Sequence, residues 1–304
     1  MLFRSVQWEI RSAKYDYYHH KVSDLEQTDP KKWWKQIKLL TGQDIQQEWF
    51  HQFLGENCPD TKALANMVND HFISLTSDFV PLTPTGVTNQ QVTPGLLVSV
   101  REVQDSLSSL NVGKAIGPDM IPNRVLKEFA PELAPLIMDI YNCSLREGYV
   151  PDLLKRSIIN PLSKVCPPQE IQTDLRPISL TCTLAKVMEG LARSRLVAQI
   201  PEKLDPRQYA REGHSTTDAL IYILQAIHEA TDSGNCGVRM FFADYSKGFD
   251  LIDHSILLRE LAFFDIDTAL INWIRAFLTE RSQAVLKTGT ECHVDFVCFL
   301  PPTN

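Results

Sequence analysis

The run Val238-Arg239-Met240-Phe241-Phe242-Ala243 ends on Asp244 and leads through Tyr245-Ser246-Lys247-Gly248 to Phe249 and Asp250. An apolar run of this length, closed by a turn, reads as a strand buried on both faces, which demands a sheet with covering helices. A carboxylate at the end of such a strand stands at the rim of the sheet, well placed to hold a cation. A two-ion centre, with its ions roughly 3.5–4 Å apart, cannot be built on one side chain and needs a second carboxylate beside the first. The fold class expected is α+β, on the resemblance given below, and the central chemical question is whether Asp244 has a partner.

At 304 residues the chain is long enough for one large or two ordinary domains, and 44% hydrophobic with 22% charged residues is a globular composition. No stretch reaches the roughly 18–20 apolar residues of a membrane span, and the N-terminus MLFRSVQWEIRSAK has no short apolar core with a small-residue cleavage site. No membrane association is expected, and the location expected is intracellular, cytoplasm and nucleus being equally compatible. Seven scattered cysteines form neither a CxxC pair nor a Cys/His cluster, so neither a disulfide framework nor a zinc site is indicated. The net charge of −7 excludes a wholly basic nucleic-acid binder. The charge is uneven, however. Residues 41–100 carry Asp44, Glu48, Glu56, Asp60, Asp70 and Asp78 against Lys62, whereas in residues 146–214 bases such as Lys155, Arg156, Lys164, Arg176, Lys186, Arg193, Arg195 and Arg207 outnumber the acids. A polyanion would be drawn to the second segment, although an ordinary solvated face accounts for the same pattern.

Three regions follow from the patterning. Residues 1–42 read as a helical extension, with Pro30 opening a second helix that carries Trp33 and Trp34; paired tryptophans on so short a helix suit docking better than base stacking. Residues 43–98 read as an acidic helical connector, with a helix over 62–80, and a proline-marked linker, Pro81 to Pro94. From 99 onward helices and short strands alternate. Helices are expected from Ser99, at 123–130, 133–147, 183–196, 217–230, 254–263 and 268–280; strands are expected at 156–162, 238–243 and 283–289, and Arg176-Pro177-Ile178-Ser179-Leu180 is expected to re-enter the core.

Asp244 at a strand end, Lys164 just past a strand and Arg176 a dozen residues on are the residue types of phosphoryl chemistry: Mg²⁺ takes one or two carboxylates plus phosphate oxygens, and Lys and Arg neutralise the remaining charge. By spacing alone they are equally the strand-end acid and surface bases of any α/β protein. An unrelated Asp-dependent phosphotransferase would show Asp-x-Asp or a glycine-rich phosphate loop, and the turn after Asp244 supplies neither.

Seven blocks carry more: GlyProAsp-x-IlePro (117–122), GlyTyrValProAsp (148–152), IleIle-x-ProLeu-x-Lys (158–164), LeuArgProIleSerLeuThr (175–181), Gln208 with GlyHisSerThrThrAspAla (213–219), AlaAspTyrSerLysGlyPheAsp (243–250) and AsnTrpIle-x-x-PheLeu-x-x-Arg (272–281). In this order they closely resemble the first half of the reverse transcriptase of non-LTR (LINE-type) retrotransposons. The resemblance implies the fingers and the start of a right-hand polymerase palm over 99–304, with an upstream endonuclease and the rest of the palm and thumb lying elsewhere. Carried over residue by residue, it makes Asp244 the first metal-binding catalytic aspartate, with the Tyr245 backbone carbonyl also facing a metal. Lys164 and Arg176 fall where the triphosphate of the incoming nucleotide is bound, and Phe249 where an aromatic gate lies under its sugar. The cofactor implied is Mg²⁺, two ions in the intact family and at most weak binding here; the partners implied are an RNA template, a DNA primer and a deoxynucleotide. Asp250 is expected to cap a helix or to hydrogen-bond, not to bind metal, and His214 to cap or to contact a backbone phosphate; Ser215, Thr216 and Asp218 are expected to start the helix at 217–230 in a loose capping-box arrangement.

The family next requires a GlyxProGlnGly-type block and a hairpin bearing aromatic-x-Asp-Asp, and neither occurs. Asp295 has no second strand beside it and is not taken as the missing ligand. The expectation is a C-terminally truncated reverse transcriptase domain, with a tail from a frameshift or a gene-model artefact, inactive by itself. The alternative is a non-enzymatic nucleic-acid-binding remnant of a retroelement.

Overall fold

The computed structural model describes residues 2–41, 53, 60–84, 86, 89–165, 168–200, 205–232, 234, 237–245, 248–285 and 297–298. The chain opens with α1 (Leu2–Tyr17), a π-turn (Tyr18–Val22), α2 (Leu25–Thr28) and α3 (Pro30–Thr41). Pro30 sits at the first helical position, where its missing N–H costs nothing. Lys14 Nζ donates to the Leu40 carbonyl (2.9 Å) and the Tyr17 hydroxyl to Gln36 Oε1 (3.1 Å), laying α1 against α3. Next comes α4 (Thr61–Ser74), whose N-cap Asp60 accepts from the Ala63 amide at 2.7 Å.

The remaining helices are α5 (Val100–Ser108), α6 (Asn123–Glu128), α7 (Ala130–Glu147), α8 (Ile171–Asp174), α9 (Thr183–Gln199), α10 (Thr216–Asp232), α11 (His254–Phe263) and α12 (Thr268–Leu278). The strands are β1 (Arg156–Ser163), β2 (Leu175–Thr181), β3 (Ser282–Val285) and β4 (Val297–Cys298). A reciprocal Ser99–Glu102 capping box starts α5, and Gly148 (φ +57°) ends α7 in the left-handed conformation glycine adopts without penalty. The four strands form one sheet in the order β2-β1-β3-β4, antiparallel between β1 and β2, parallel between β1 and β3, antiparallel between β3 and β4. The architecture is thus mixed helix and sheet, as the α+β expectation required.

Two cores hold it. The larger is helical, built from Val103, Leu107, Tyr141, Leu145, Met188, Leu191, Leu258, Leu270 and Trp273. At its centre Trp273 is 2% exposed and donates its Nε1 to Ser144 Oγ at 2.9 Å. The smaller lies under the sheet, where Leu64, Val68 and Phe72 of α4 cover Ile159, Ile171 and Leu175, and Gln283 Nε2 donates to Asn69 Oδ1 (2.9 Å). Buried Lys155 joins the two regions through Asp152 (3.2 Å) and Glu280 (3.8 Å), holding the corner before β1 against the corner before β3. A buried ammonium so placed is retained only because carboxylates offset its desolvation.

Within the stretch read as linker, residues 90–98 lie on the helical core. The Gln90 side chain donates to the Leu145 carbonyl (2.6 Å) and accepts from Asn272 Nδ2 (2.9 Å). Asn142 makes a two-way pair with the Val98 backbone, both bonds 3.0 Å. These polar anchors carry no hydrophobic periodicity.

The expected strand 238–243 is corrected. Residues 237–245 form no strand, and Phe241 and Phe242 are 90% and 78% exposed. A buried strand needs hydrogen-bonding neighbours for its backbone and covering helices for its faces, and among the described residues no strand pairs with this one. The tail also departs from expectation: Val297 and Cys298 pair with Gln283 and Ser282 as a short strand. Asp295, Asp44, Glu48, Glu56 and most of the tail lie outside the described residues.

Candidate functional site

Lys164 and Arg176 are brought together by the β1–β2 hairpin, whose register sets Leu162 opposite Arg176 and Ser163 opposite Leu175. The connection between the strands is fastened by Asp174. Its carboxylate accepts from the Gln169 (2.7 Å) and Glu170 (3.1 Å) amides and from the Thr173 hydroxyl (3.0 Å), which together hold it below the usual carboxylate range, with Lys164 adding to the effect. The Lys164 amide donates to the Asp174 carbonyl (2.7 Å), and its ammonium to the Thr173 carbonyl (2.6 Å). Both cationic side chains are exposed at one end of the hairpin. An anion arriving there meets one guanidinium and one ammonium whose single carbonyl contact it can replace, an arrangement suited to phosphate oxygens. Asp174 was not legible as the residue that shapes this corner; an Asp placed to fold back on preceding amides is the only signal.

Asp244, Tyr245 and Phe249 lie elsewhere on the chain, on the exposed segment just described; Tyr245 is 84% and Phe249 95% exposed. Among the described residues no hydrogen bond or ion pair joins them to Lys164 or Arg176. One helix cap also differs from expectation. Asp253, not Asp250, caps α11, accepting from the Ser255 amide at 2.7 Å. At α10 the expected Ser215–Asp218 box forms, the Ser215 hydroxyl and amide both donating to Asp218 Oδ2 (2.7 Å), while His214 lies edge-on to Tyr209. Acidic residues cluster in the turn before α11, and only backbone direction decides which one meets the free amides.

The GlyProAsp loop is set against the start of α9. Gly117 abuts it so closely that a Cβ would stand 2.5 Å from Cys182 Cα. Asn123 completes the joint, accepting from the Thr183 hydroxyl and donating to the Asn111 carbonyl (2.9 Å).

Residues 164–298 match the family model described as "Reverse transcriptase (RNA-dependent DNA polymerase)". This part of the chain is a reverse transcriptase domain, and the match runs past residue 281, where the quoted blocks end, through β4. Its homologues are RNA-directed DNA polymerases of non-LTR retrotransposons. The chain is 26% identical over 273 residues to the "Probable RNA-directed DNA polymerase from transposon BS" of Drosophila melanogaster, covering 85% of this chain and 30% of that protein. It is 27% identical to the "RNA-directed DNA polymerase from mobile element jockey" of Drosophila funebris, over 68% of this chain and 23% of the relative. It is 30% identical to the "Probable RNA-directed DNA polymerase from transposon X-element" of Drosophila melanogaster, over 50% and 17%. The chain thus spans less than a third of the length of these relatives.

Reverse transcriptases work with divalent metal ions. Among the described residues no group of three or more His, Cys, Asp or Glu side chains that could hold a metal ion converges. No described helix is long and apolar enough to cross a membrane.

Proposed function

We propose that this chain is the fingers and the beginning of the palm of an RNA-directed DNA polymerase, binding an RNA template, a DNA primer and a deoxynucleotide. The observation that carries the reading is the placing of Lys164 and Arg176 at the connected end of the β1–β2 hairpin within a reverse transcriptase domain. In this reading the two cations take the triphosphate, Phe249 lies under the sugar, and Asp244 with the Tyr245 carbonyl contributes part of the metal-binding rim. Residues 99–304 form the polymerase portion, and 1–42 and 43–98 precede it as extension and connector. No turnover step is assigned, because a single carboxylate cannot hold the ion pair.

The test is a filter-binding titration of residues 1–304 with an RNA–DNA template–primer at low and high salt, beside an extension assay with Mg²⁺. Binding that weakens steeply with salt, and weakens again in Lys164→Ala/Arg176→Ala, is expected; flat, weak binding at both salts refutes the reading. A second reading, a nucleic-acid-binding remnant without catalysis, is favoured by the exposure of the run before Asp244, which forms no strand. Absence of primer extension is expected under it, and extension abolished by Asp244→Ala overturns it.

A further inference from the structure

One helix of the N-terminal extension is charged opposite to the chain as a whole. α3 carries Lys31, Lys32, Lys35 and Lys38 and no acid, in a chain of net charge −7. Its apolar residues Trp33, Ile37 and Leu40 recur at i, i+4 and i+7, the spacing at which an amphipathic helix sets anchors into a groove. All three are half-buried. Trp34 flanks this stripe, 57% exposed and in edge contact with Trp33, the ring centroids 5.0 Å apart and the planes at 69°.

The seat α3 occupies leaves it incompletely satisfied. Trp33 Nε1 is buried and meets no acceptor among the described residues, an unmet donor that subtracts from the packing around it. The bonds that lay α3 against α1, from Lys14 to the Leu40 carbonyl and from Tyr17 to Gln36, lie at the exposed surface, where water competes for both ends. Positive charge, an apolar stripe with tryptophan anchors and an unmet indole N–H are complemented together by a groove with an apolar floor and a rim of carboxylates. A stacked base is served less well, because the two indoles already stand edge to face on one another.

We propose that α3 is the docking helix for a protein partner whose apolar groove is rimmed by carboxylates. The helix leaves α1, Trp33, Trp34, Ile37 and Leu40 enter the groove, and the rim meets the positive charge. A rim carboxylate accepts from the indole N–H that the present seat leaves unmet. The surface lies outside residues 164–298, which carry the polymerase match, and needs no nucleotide.

Calcium-loaded calmodulin, whose groove is methionine-rich and opened by calcium, is the probe. Fluorescence anisotropy of labelled calmodulin titrated with residues 1–304 is expected to show saturable binding that a calcium chelator abolishes. Trp34→Ala is expected to weaken it about thirtyfold, and Lys32→Glu about tenfold. Both side chains are exposed, so neither variant is expected to lower the unfolding temperature. Tyr17→Phe, which removes the bond to Gln36, is expected to tighten binding about two- to fivefold, because release of α3 becomes easier. No binding, or binding unchanged in both Trp34→Ala and Lys32→Glu, overturns the proposal. So does binding of oligo(rU), lost in the same two variants, by a chain that ignores calmodulin, since the face then belongs to nucleic acid. Unchanged affinity in Tyr17→Phe overturns the release of α3.

Discussion

A methyl group has no room at Gly117, where it would stand 2.5 Å from Cys182 Cα and 2.7 Å from the Thr181 carbonyl, both backbone atoms that cannot turn aside. Gly117→Ala is expected to cost about 1–3 kcal/mol in urea unfolding. Gly190→Ala, on α9 with nothing within 4 Å, is expected to gain roughly 0.5–1 kcal/mol. Tyr141 inverts the argument. Burial pushes its hydroxyl up to about 12, and that hydroxyl has no hydrogen-bond partner among the described residues. Tyr141→Phe is therefore expected to unfold at the same or a higher temperature, since an unsatisfied buried hydroxyl stabilises nothing; a loss of several degrees would show a partner. Glu102 gives a pH dependence. Desolvation opposes its charge, but the Ser99 backbone amide, Arg195 at 2.6 Å and the Ser99 hydroxyl outweigh that and leave its carboxyl below the ordinary 4.5. A depressed carboxyl stabilises the fold above its unfolded value, and this contribution is lost as pH falls through the folded one. The stability gap between wild type and Glu102→Gln is thus expected to be constant near neutrality and to close as pH falls below 4.5. The helix start at Ser99 and the Ser215–Asp218 box were legible, because a cap residue stands directly before an apolar run; Asp174 and Asp253 were not, because their partners are backbone amides whose direction no spacing reports.

Helices were legible for the same reason. Their hydrogen bonds are local and their apolar faces repeat every few residues, so α3, α5, α7, α9 and α12 lie close to where periodicity puts them. Strands depend on neighbours far along the chain. Arg156 to Ser163 found two such neighbours and became β1, whereas the more apolar run before Asp244 found none among the described residues. Nor does periodicity say what an amphipathic helix covers: α4, read as part of a connector, closes one face of the sheet. Leu64 is fully buried there, and Leu64→Ala is expected to cost roughly 2–5 kcal/mol in chemical unfolding. A loss below about 1 kcal/mol would mean that the helix does not cover the sheet.

At the scale of the whole molecule, α10 and the segment after it contribute no buried residue among those described: Leu220, Ile221 and Leu224 are 59%, 60% and 54% exposed, and Phe241, Phe242 and Phe249 far more. So much apolar surface on one stretch favours association. Residues 1–304 are expected to self-associate as concentration rises in sedimentation velocity. Ile221→Asp/Leu224→Asp is expected to shift them toward monomer without lowering the unfolding temperature; unchanged association in that variant would place the contact elsewhere.

The parallel pairing of β1 with β3 places the Ser157 hydroxyl on the Ser282 carbonyl, 125 positions away. During synthesis the sheet therefore waits: β1 and β2 emerge as an early hairpin, and the third strand arrives only after α9 to α12 have left the ribosome. The loop-closure cost of so long an excursion grows only slowly with its length. A protease cutting near the exposed Phe241 would thus leave two pieces still joined by the β1–β3 ladder and by the helical core, a nicked molecule instead of an unravelled one.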